Sequence, residues 1–455
     1  MAGIAVTAIT LCCALPSGAA AQTQDPAKQI EALQKIKRSL SPGERKLDGK
    51  LAVKLRRQEL GGRTEVDIAV RRPGDDLVAR LQQAGATVRH VASTGEIRAA
   101  VPASALRTVA TWGAVERIVP AAQAMTARYG GRTLSTEERG EIITALATTS
   151  EGVRAHAADT ARETTKVTGV GTKLCALSDG VDSLAASQAA GELPAVDVLP
   201  NMAGDGDEGT AMLEILHDMA PGAELGFATA FISDASFADN VCALRADGCD
   251  VIVDDILYFN ESPFEDGPIA QAVNDVTADG ALYFSSAGNE GNTLDGTSGN
   301  YEGAFRGSGR TVGKFAGEAH DFDPGTPVQV FEPISPDSDD GVPVTLFWAN
   351  RLGAAADDYD LYLFNGAGQV VDFAQDTQDG DDDPYEILFT PTAGGSGLRL
   401  AGEAHDREPR YFQLSALRGR FEAAGAAAML NASWAAECPR VTPGVTQAGR
   451  PPAAS

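Results

Sequence analysis

Positive charge is scarce in this 455-residue sequence. Its 37 Lys and Arg residues face 63 Asp and Glu, giving a net charge of -26. A chain this acidic repels phosphate backbones, so no nucleic-acid partner is expected. Long hydrophobic runs are also few. The single one, Ile4 to Leu15, covers about 12 residues, too short to span a bilayer, so no membrane-embedded state is expected. Cysteines number six, and no Cys/His spacing has the form of a zinc site. Apolar residues, at 43%, are too plentiful for wholesale disorder. What the chain does have is 49 glycines and 23 prolines, the balance of a loop-rich globular protein. One compact domain rarely exceeds roughly 250 residues, so at least two folded units are expected.

The run Ile4 to Leu15 leads into Pro16-Ser17-Gly18 and Ala19-Ala20-Ala21 before Gln22. That is an apolar core followed by a small-residue cleavage site, and it predicts a signal peptide over 1–21 and a secreted or periplasmic protein. The first basic residue is Lys28, so the usual positive leader segment is missing and a misplaced start codon stays open. Four cysteines remain after cleavage. Cys242 and Cys249 could close a small loop in VCALRADGCD, or stay as two thiols, while Cys175 sits in an apolar strand and reads as packing. From Glu437 onward no apolar period is visible. That end reads either as a disordered tail or as the product of a frameshift or early stop.

Between the ends three textures follow one another. Residues 22–63 form a charged segment whose part from 28 to 50 reads as a surface helix or linker. Residues 64–121 alternate in the order β-α-β-β-α-β, with EVDIAVR at period two and Thr94-Gly95 between two strand-like runs, as in a small ferredoxin-like α+β domain. A polar, Ala/Thr-rich linker covers 122–165. Over 166–315 the apolar runs KLCALS, VDVLP, AELGFATA, CDVIVDDI and GALYFSSA are separated by helical patterns, which predicts a parallel, doubly wound α/β sheet. Over 316–420, runs such as PVTLFWA, DYDLYLFN and YEILFT between Gly/Asp/Pro turns predict an antiparallel β-sandwich. Residues 421–455 begin as a helix, FEAAGAAAML, and break off into the tail.

Chemistry-bearing residues cluster in the α/β segment. Asp179 follows an apolar strand in LSDGVDS, at the strand's carboxyl end, where such sheets bind ligands. Glu208 starts a helix in GDGDEGTAMLEILHDM. Asn289 follows a buried strand in SSAGNEGN, where a side-chain amide can donate to an oxyanion. Asp179-Gly180, then Gly209-Thr210-Ala211 running to Ala220-Pro221-Gly222-Ala223, then Ser286-Ala287-Gly288-Asn289-Glu290-Gly291, resemble in order and kind the subtilase (subtilisin and sedolisin) serine peptidases. The resemblance covers about 170–295. It implies a secreted serine endopeptidase fold with a polypeptide substrate or peptide ligand. In it Asp179 matches the orienting Asp, Asn289 the oxyanion Asn, and Glu208 stands at the position of the catalytic His. Ile256, Leu257 and Tyr258, with Ser285 and Ser286, match segments that line the substrate groove. The 64–121 region resembles the propeptides of these enzymes, which assist folding and block the site. The 316–420 region resembles small domains attached to secreted bacterial peptidases.

The sequence departs from the family at two places. A Glu replaces the His. Sedolisins use a Glu base, but they pair it with an Asp one helical turn later, where this chain has Met212. Asp179 is then the expected carboxylate partner, and two close carboxylates share a proton. His217, nine residues on, falls on the opposite face of a helix and is not a replacement base. The nucleophile is the second departure. The family carries its Ser in a Gly-Thr-Ser-small-Ala-Pro segment opening a long helix, whereas Gly296-Thr297-Ser298 is followed by Gly299-Asn300-Tyr301 and no helical pattern, so Ser298 reads as a loop residue. The parallel sheet is therefore expected to be incomplete and the chain to be inactive alone. A pseudopeptidase that binds peptides or partners, and a remnant of a longer peptidase, are the alternative readings. No cofactor is expected. Asp379 to Asp383, DGDDD, is a calcium candidate without EF-hand spacing and reads first as a solvated acidic loop.

Overall fold

The computed structural model describes residues 25–71, 75–126, 149–288, 296–314, 316–323, 325, 327–336, 341–392, 397–405 and 408–421. Residues 1–21, where a signal peptide is expected, Asn289, and residues 422–455 lie outside them. The fold is mixed α/β, with one parallel sheet and several antiparallel ones. The chain divides into two units, one made of 1–40 with 290–431 and the other of 41–289 with 432–455. The charged stretch 28–50, expected as a surface helix or linker, is helical in large part. It forms helix α1 (Pro26–Arg38), which belongs to the first unit, and opens α2 (Gly49–Arg57), which belongs to the second. Each buries an apolar face, Ile30 and Leu33 in α1 and Leu51, Ala52 and Val53 in α2. The Asp48 carboxylate caps α2 by accepting from the Leu51 N–H at 2.9 Å.

The second unit continues with β1 (Arg63–Val70), α3 (Asp75–Gln83), β2 (Thr87–Val91), β3 (Ile97–Pro102), α4 (Ala103–Ala110) and β4 (Val115–Pro120). Its sheet has the order β2-β3-β1-β4, antiparallel throughout. Ile68 and Ile118 are register partners across it, and with Leu81, Ile97, Leu106 and Val109 they are fully buried. The next strand, β5 (Met125–Thr126), lies where the sequence reads as linker. Two short helices, α5 (Glu151–Ala155) and α6 (Ala158–Thr165), complete that stretch among the described residues.

The α/β part follows as β6 (Lys173–Ser178), α7 (Leu184–Ala190), β7 (Val196–Val198), α8 (Glu208–Met219), β8 (Glu224–Thr229), α9 (Asp234–Ala246), β9 (Val251–Asp254), β10 (Ile256–Leu257), α10 (Pro268–Ala278) and β11 (Leu282–Ser285). The parallel sheet runs β11-β9-β6-β8-β7. Alternation along β6 sends successive side chains to opposite faces. Cys175 and Leu177 pack with Val241 and Leu244 of α9 and Val273 and Val276 of α10. Ala176 packs with Phe227 of β8 and Leu213 of α8. The strands are apolar on both faces because helices cover both. Cys175 is bonded to Cys249, with Cα atoms 6.0 Å apart, and Cys242 is an exposed thiol on α9. The small Cys242–Cys249 loop is thereby corrected. Sheet pairing sets Cys175 beside Ile252 of β9, close to Cys249, and the helix carries Cys242 away.

In the first unit the strands are β12 (Asn300–Ala304), β13 (Glu318–Ala319), β14 (Glu332–Pro336), β15 (Pro343–Trp348), β16 (Asp358–Phe364), β17 (Val370–Ala374), β18 (Tyr385–Phe389), β19 (Arg399–His405), β20 (Tyr411–Ala416) and β21 (Gly419–Phe421). They form two antiparallel sheets, β12-β20-β15-β18 and β17-β16-β19-β14-β21, with β13 added on β19. One core holds Tyr301, Phe322, Trp348, Leu361, Leu388, Leu400 and Phe412 from both. Because β12 pairs with β20, this architecture starts upstream of the expected boundary at 316.

Candidate functional site

Four parallel strands end at one edge of the α/β part, and their carboxyl ends carry Asp179 (after β6), Ala230 (after β8), Asp254 and Asp255 (β9) and Ser285 and Ser286 (β11). Asp179 is held by backbone. Its Oδ1 accepts from the N–H groups of Gly180 at 2.6 Å, Glu208 at 2.9 Å and Gly209 at 3.2 Å. The last two are free first-turn donors of α8, so the carboxylate caps that helix and meets its positive dipole end. The turn leading into α8 is tied to the same loop. Asp207 accepts from the Ser183 N–H at 2.6 Å and its hydroxyl at 2.7 Å. Gly206, at φ 131°, lies so close that a Cβ there would overlap Asp179 Oδ2. Glycine is required at that position on both counts.

Glu208 is half-buried at the start of α8. Desolvation by burial is the largest influence on its carboxyl and, with the nearby Asp255 and Asp179, raises the pKa to about 7. A hydrogen bond from the Thr126 hydroxyl acts in the opposite direction. Asp255 and Asp179 both stand close enough to raise the Glu208 carboxyl, and the contact with Asp255 includes a side-chain hydrogen bond. Three backbone donors meanwhile hold Asp179 Oδ1. Asp255 Oδ1 is buried with no hydrogen-bond partner among the described residues. Its neighbour Asp254 is buried, which raises its pKa to about 6 against hydrogen bonds that lower it, the Ser285 hydroxyl donating at 2.8 Å among them. Asp254 and Asp255 are the pair that sequence reasoning passed over. Their signal was available, since they occupy the same strand-end position that singled out Asp179.

Ile256 and Leu257 form β10, a two-residue edge paired antiparallel with Thr126 and Met125. That pairing brings Thr126 to Glu208. Ile256 and Leu257 are buried, and Tyr258 turns inward, its hydroxyl donating to the Ala230 carbonyl at 2.6 Å and its ring packing near Phe237. Ser286 N–H donates to the Asp254 carbonyl at 3.2 Å, extending the β9–β11 ladder. Asp179, Glu208, Ile256 and Leu257 are thus brought to one place, Ser285 and Ser286 flank it through Asp254, and Tyr258 supports it from below. Asn289 falls outside the described residues. Helix α8 is continuous from Glu208 to Met219, so His217 lies about half a turn round from Glu208. Ser298 is buried in the other unit, where its carbonyl accepts from Phe421 N–H at 3.1 Å and its hydroxyl from Asn300 N–H at 3.3 Å.

Three groups among the described residues have donor atoms gathered within 4.8 Å of one another, as metal binding needs. Asp379, Asp381 and Asp382 belong to the acidic loop seen in the sequence; the first two are exposed and Asp382 is largely covered. Asp67, Glu96 and Asp234 join the β2–β3 hairpin and β1 to the start of α9. Asp360, Glu403 and His405 lie on β16 and β19.

No protein-family model matches the sequence, and no curated protein is recognisably similar to it. Among solved structures the chain is similar to the CspB protease of Clostridium perfringens, at 12% identity and a TM-score of 0.32, over 58% of this chain and 66% of that one. It is also similar to the epidermin leader peptide processing serine protease EpiP from Staphylococcus aureus, at 11% identity and a TM-score of 0.31, over 52% of this chain and 63% of that one. The matched part spans less than two thirds of either neighbour. A likeness of this extent carries no argument about family or activity.

Proposed function

We propose that the 41–289 unit is a subtilase-like peptidase domain that holds a polypeptide in extended form against β10, and that this chain is catalytically incomplete on its own. One observation carries the reading. The segment Met125–Thr126, downstream of the propeptide-like sheet, is added antiparallel to Ile256–Leu257 with its hydroxyl on the Glu208 carboxyl. Main-chain pairing of this kind takes any sequence, as a peptide-binding groove requires. In this reading Glu208, with a pKa near neutrality, is suited to proton transfer. Asp179 orients the start of α8, and Asn289 supplies the oxyanion amide. The 125–126 segment that follows the 64–121 domain is a built-in occupant of the groove. The antiparallel sheets of 300–421 read as an accessory β-sandwich, and export through residues 1–21 belongs to the same proposal.

Fluorophosphonate labelling of the purified chain tests it, since such probes report an activated serine. No labelling is expected from folded protein, with or without Glu208→Ala. Labelling that disappears in Glu208→Ala would instead establish an active serine peptidase. The groove is tested separately. Leu257→Pro removes a β10 donor, and it should accelerate proteolysis of the 121–126 segment. Unchanged protection would remove the peptide-groove reading, including its pseudopeptidase form.

A further inference from the structure

The strands β16 and β19 set an unusual arrangement of charge inside the first unit. Asp360 and Glu403 are direct cross-strand partners, and Asp358 is opposite His405. All four side chains share one face of the sheet, because alternate residues do. Like charges directly opposite each other are destabilising, and Asp360 and Glu403 are both wholly buried. Protons or cations must answer them.

Lys37 of α1 supplies part of it. Its Nζ donates to Asp360 Oδ1 at 2.6 Å and Asp358 Oδ1 at 2.7 Å. His405 Nε2 meets Asp360 Oδ2 at 2.9 Å, and Gln34 and the Tyr362 hydroxyl also donate to that oxygen. Glu386, buried as well, faces the same Lys37. The carboxylates of Asp358, Asp360, Glu386 and Glu403 therefore outnumber Lys37 and His405. Glu403 is the least satisfied of them. Its Oε1 accepts from Val312 N–H at 3.1 Å, whereas Oε2 is buried and has no partner among the described residues.

We propose that Asp360, Glu403 and His405 bind one divalent first-row transition cation of the zinc type. A carboxylate oxygen of each acid and a ring nitrogen of His405 lie within 4.8 Å of one another, and Glu403 brings the unpartnered oxygen. An imidazole among the donors favours zinc and similar later first-row ions over calcium, which takes oxygens alone. Lys37 neutralises the far side of Asp360, so the added charge is met by Glu403.

Titration of the chelator-treated full chain with Zn2+ by calorimetry tests the site. One Zn2+ per chain is expected, with affinity lowered at least about tenfold by Glu403→Gln and by His405→Gln, and with Ca2+ unable to compete. No uptake, uptake unchanged in both variants, or displacement by Ca2+ would overturn it. Should the variants misfold, Co2+ added to the wild-type chain gives a second reading. Visible ligand-field bands abolished by Zn2+ are expected, and their absence would overturn the site without any variant.

Discussion

Glu208 is charged or neutral according to its surroundings, and that makes it the most informative single residue of the candidate site. Its pKa is raised from 4.5 to about 7, chiefly by desolvation. Between those values the folded chain binds a proton that the unfolded chain has released, so this group's contribution falls as pH rises from 4.5 to about 7. Glu208→Gln should leave urea stability unchanged at pH 4 and raise it by about 1–2 kcal/mol at pH 8, after allowance for solvent screening of a half-exposed group. A difference independent of pH would place the cause elsewhere. Gly209 decides a different matter. A Cβ there would drive into the Phe227 ring and the Gly180 carbonyl, both part of the packing of α8 on β8. Gly209→Ala should cost about 1–3 kcal/mol in denaturant unfolding, because this core has no slack.

Among elements, the β2–β3 hairpin is the one whose attachment depends on protonation. Glu96 lies with Asp67 and Asp234. Burial pushes its carboxyl up to about 9, with Asp234 and Asp67 raising it further and Arg98 and Arg117 opposing. Burial likewise lifts Asp67 to about 6 despite its bidentate pair with Arg98, whose Nη2 reaches Oδ2 at 2.8 Å. Tyr258 lies close to the same charges. Asp239 of α9 is the other tether, accepting from Ser93 N–H at 3.0 Å and meeting His90 at 3.3 Å. Both raised carboxyls keep a proton in the fold that the unfolded chain releases, Asp67 between 3.8 and about 6 and Glu96 between 4.5 and about 9, so together they lower stability as pH climbs across that span. Protease cleavage between 121 and 126 should therefore speed up over that range, and Glu96→Gln should flatten the rise. A rate that ignores pH in the wild type would show that the hairpin is held by other contacts.

The molecule as a whole contains two units with separate cores, one of aromatic and aliphatic residues between two antiparallel sheets, the other on both faces of the parallel sheet. Calorimetry should resolve two transitions. The Cys175–Cys249 bond closes a loop of sequence separation 74 inside the second unit. By loop entropy such a bond contributes about 4 kcal/mol. Reduction, or Cys175→Ser, should lower one transition only and leave the other in place. A shift of both would mean that the two units unfold together.

Local periodicity made most elements readable. Period two in EVDIAVR and the Thr94-Gly95 turn mark β1 and the β2–β3 hairpin. The runs KLCALS, AELGFATA and CDVIVDDI are apolar throughout because β6, β8 and β9 are covered on both faces. Asp179 and Glu208 were visible for a similar reason, standing at a strand end and a helix start that sequence pattern alone marks. Contacts between distant segments left no such trace. Nothing in the spacing of Cys175, Cys242 and Cys249 selects the pair that the β6–β9 register brings together. The hydrogen bond between Asp255 and Glu208 likewise joins the end of β9 to the start of α8, which no local pattern announces. Residues 28–38 read as a charged surface helix because a buried Lys37 and an exposed one look alike in sequence. Its burial rests on two carboxylates more than 300 residues away, and a pairing that remote has no period to announce it.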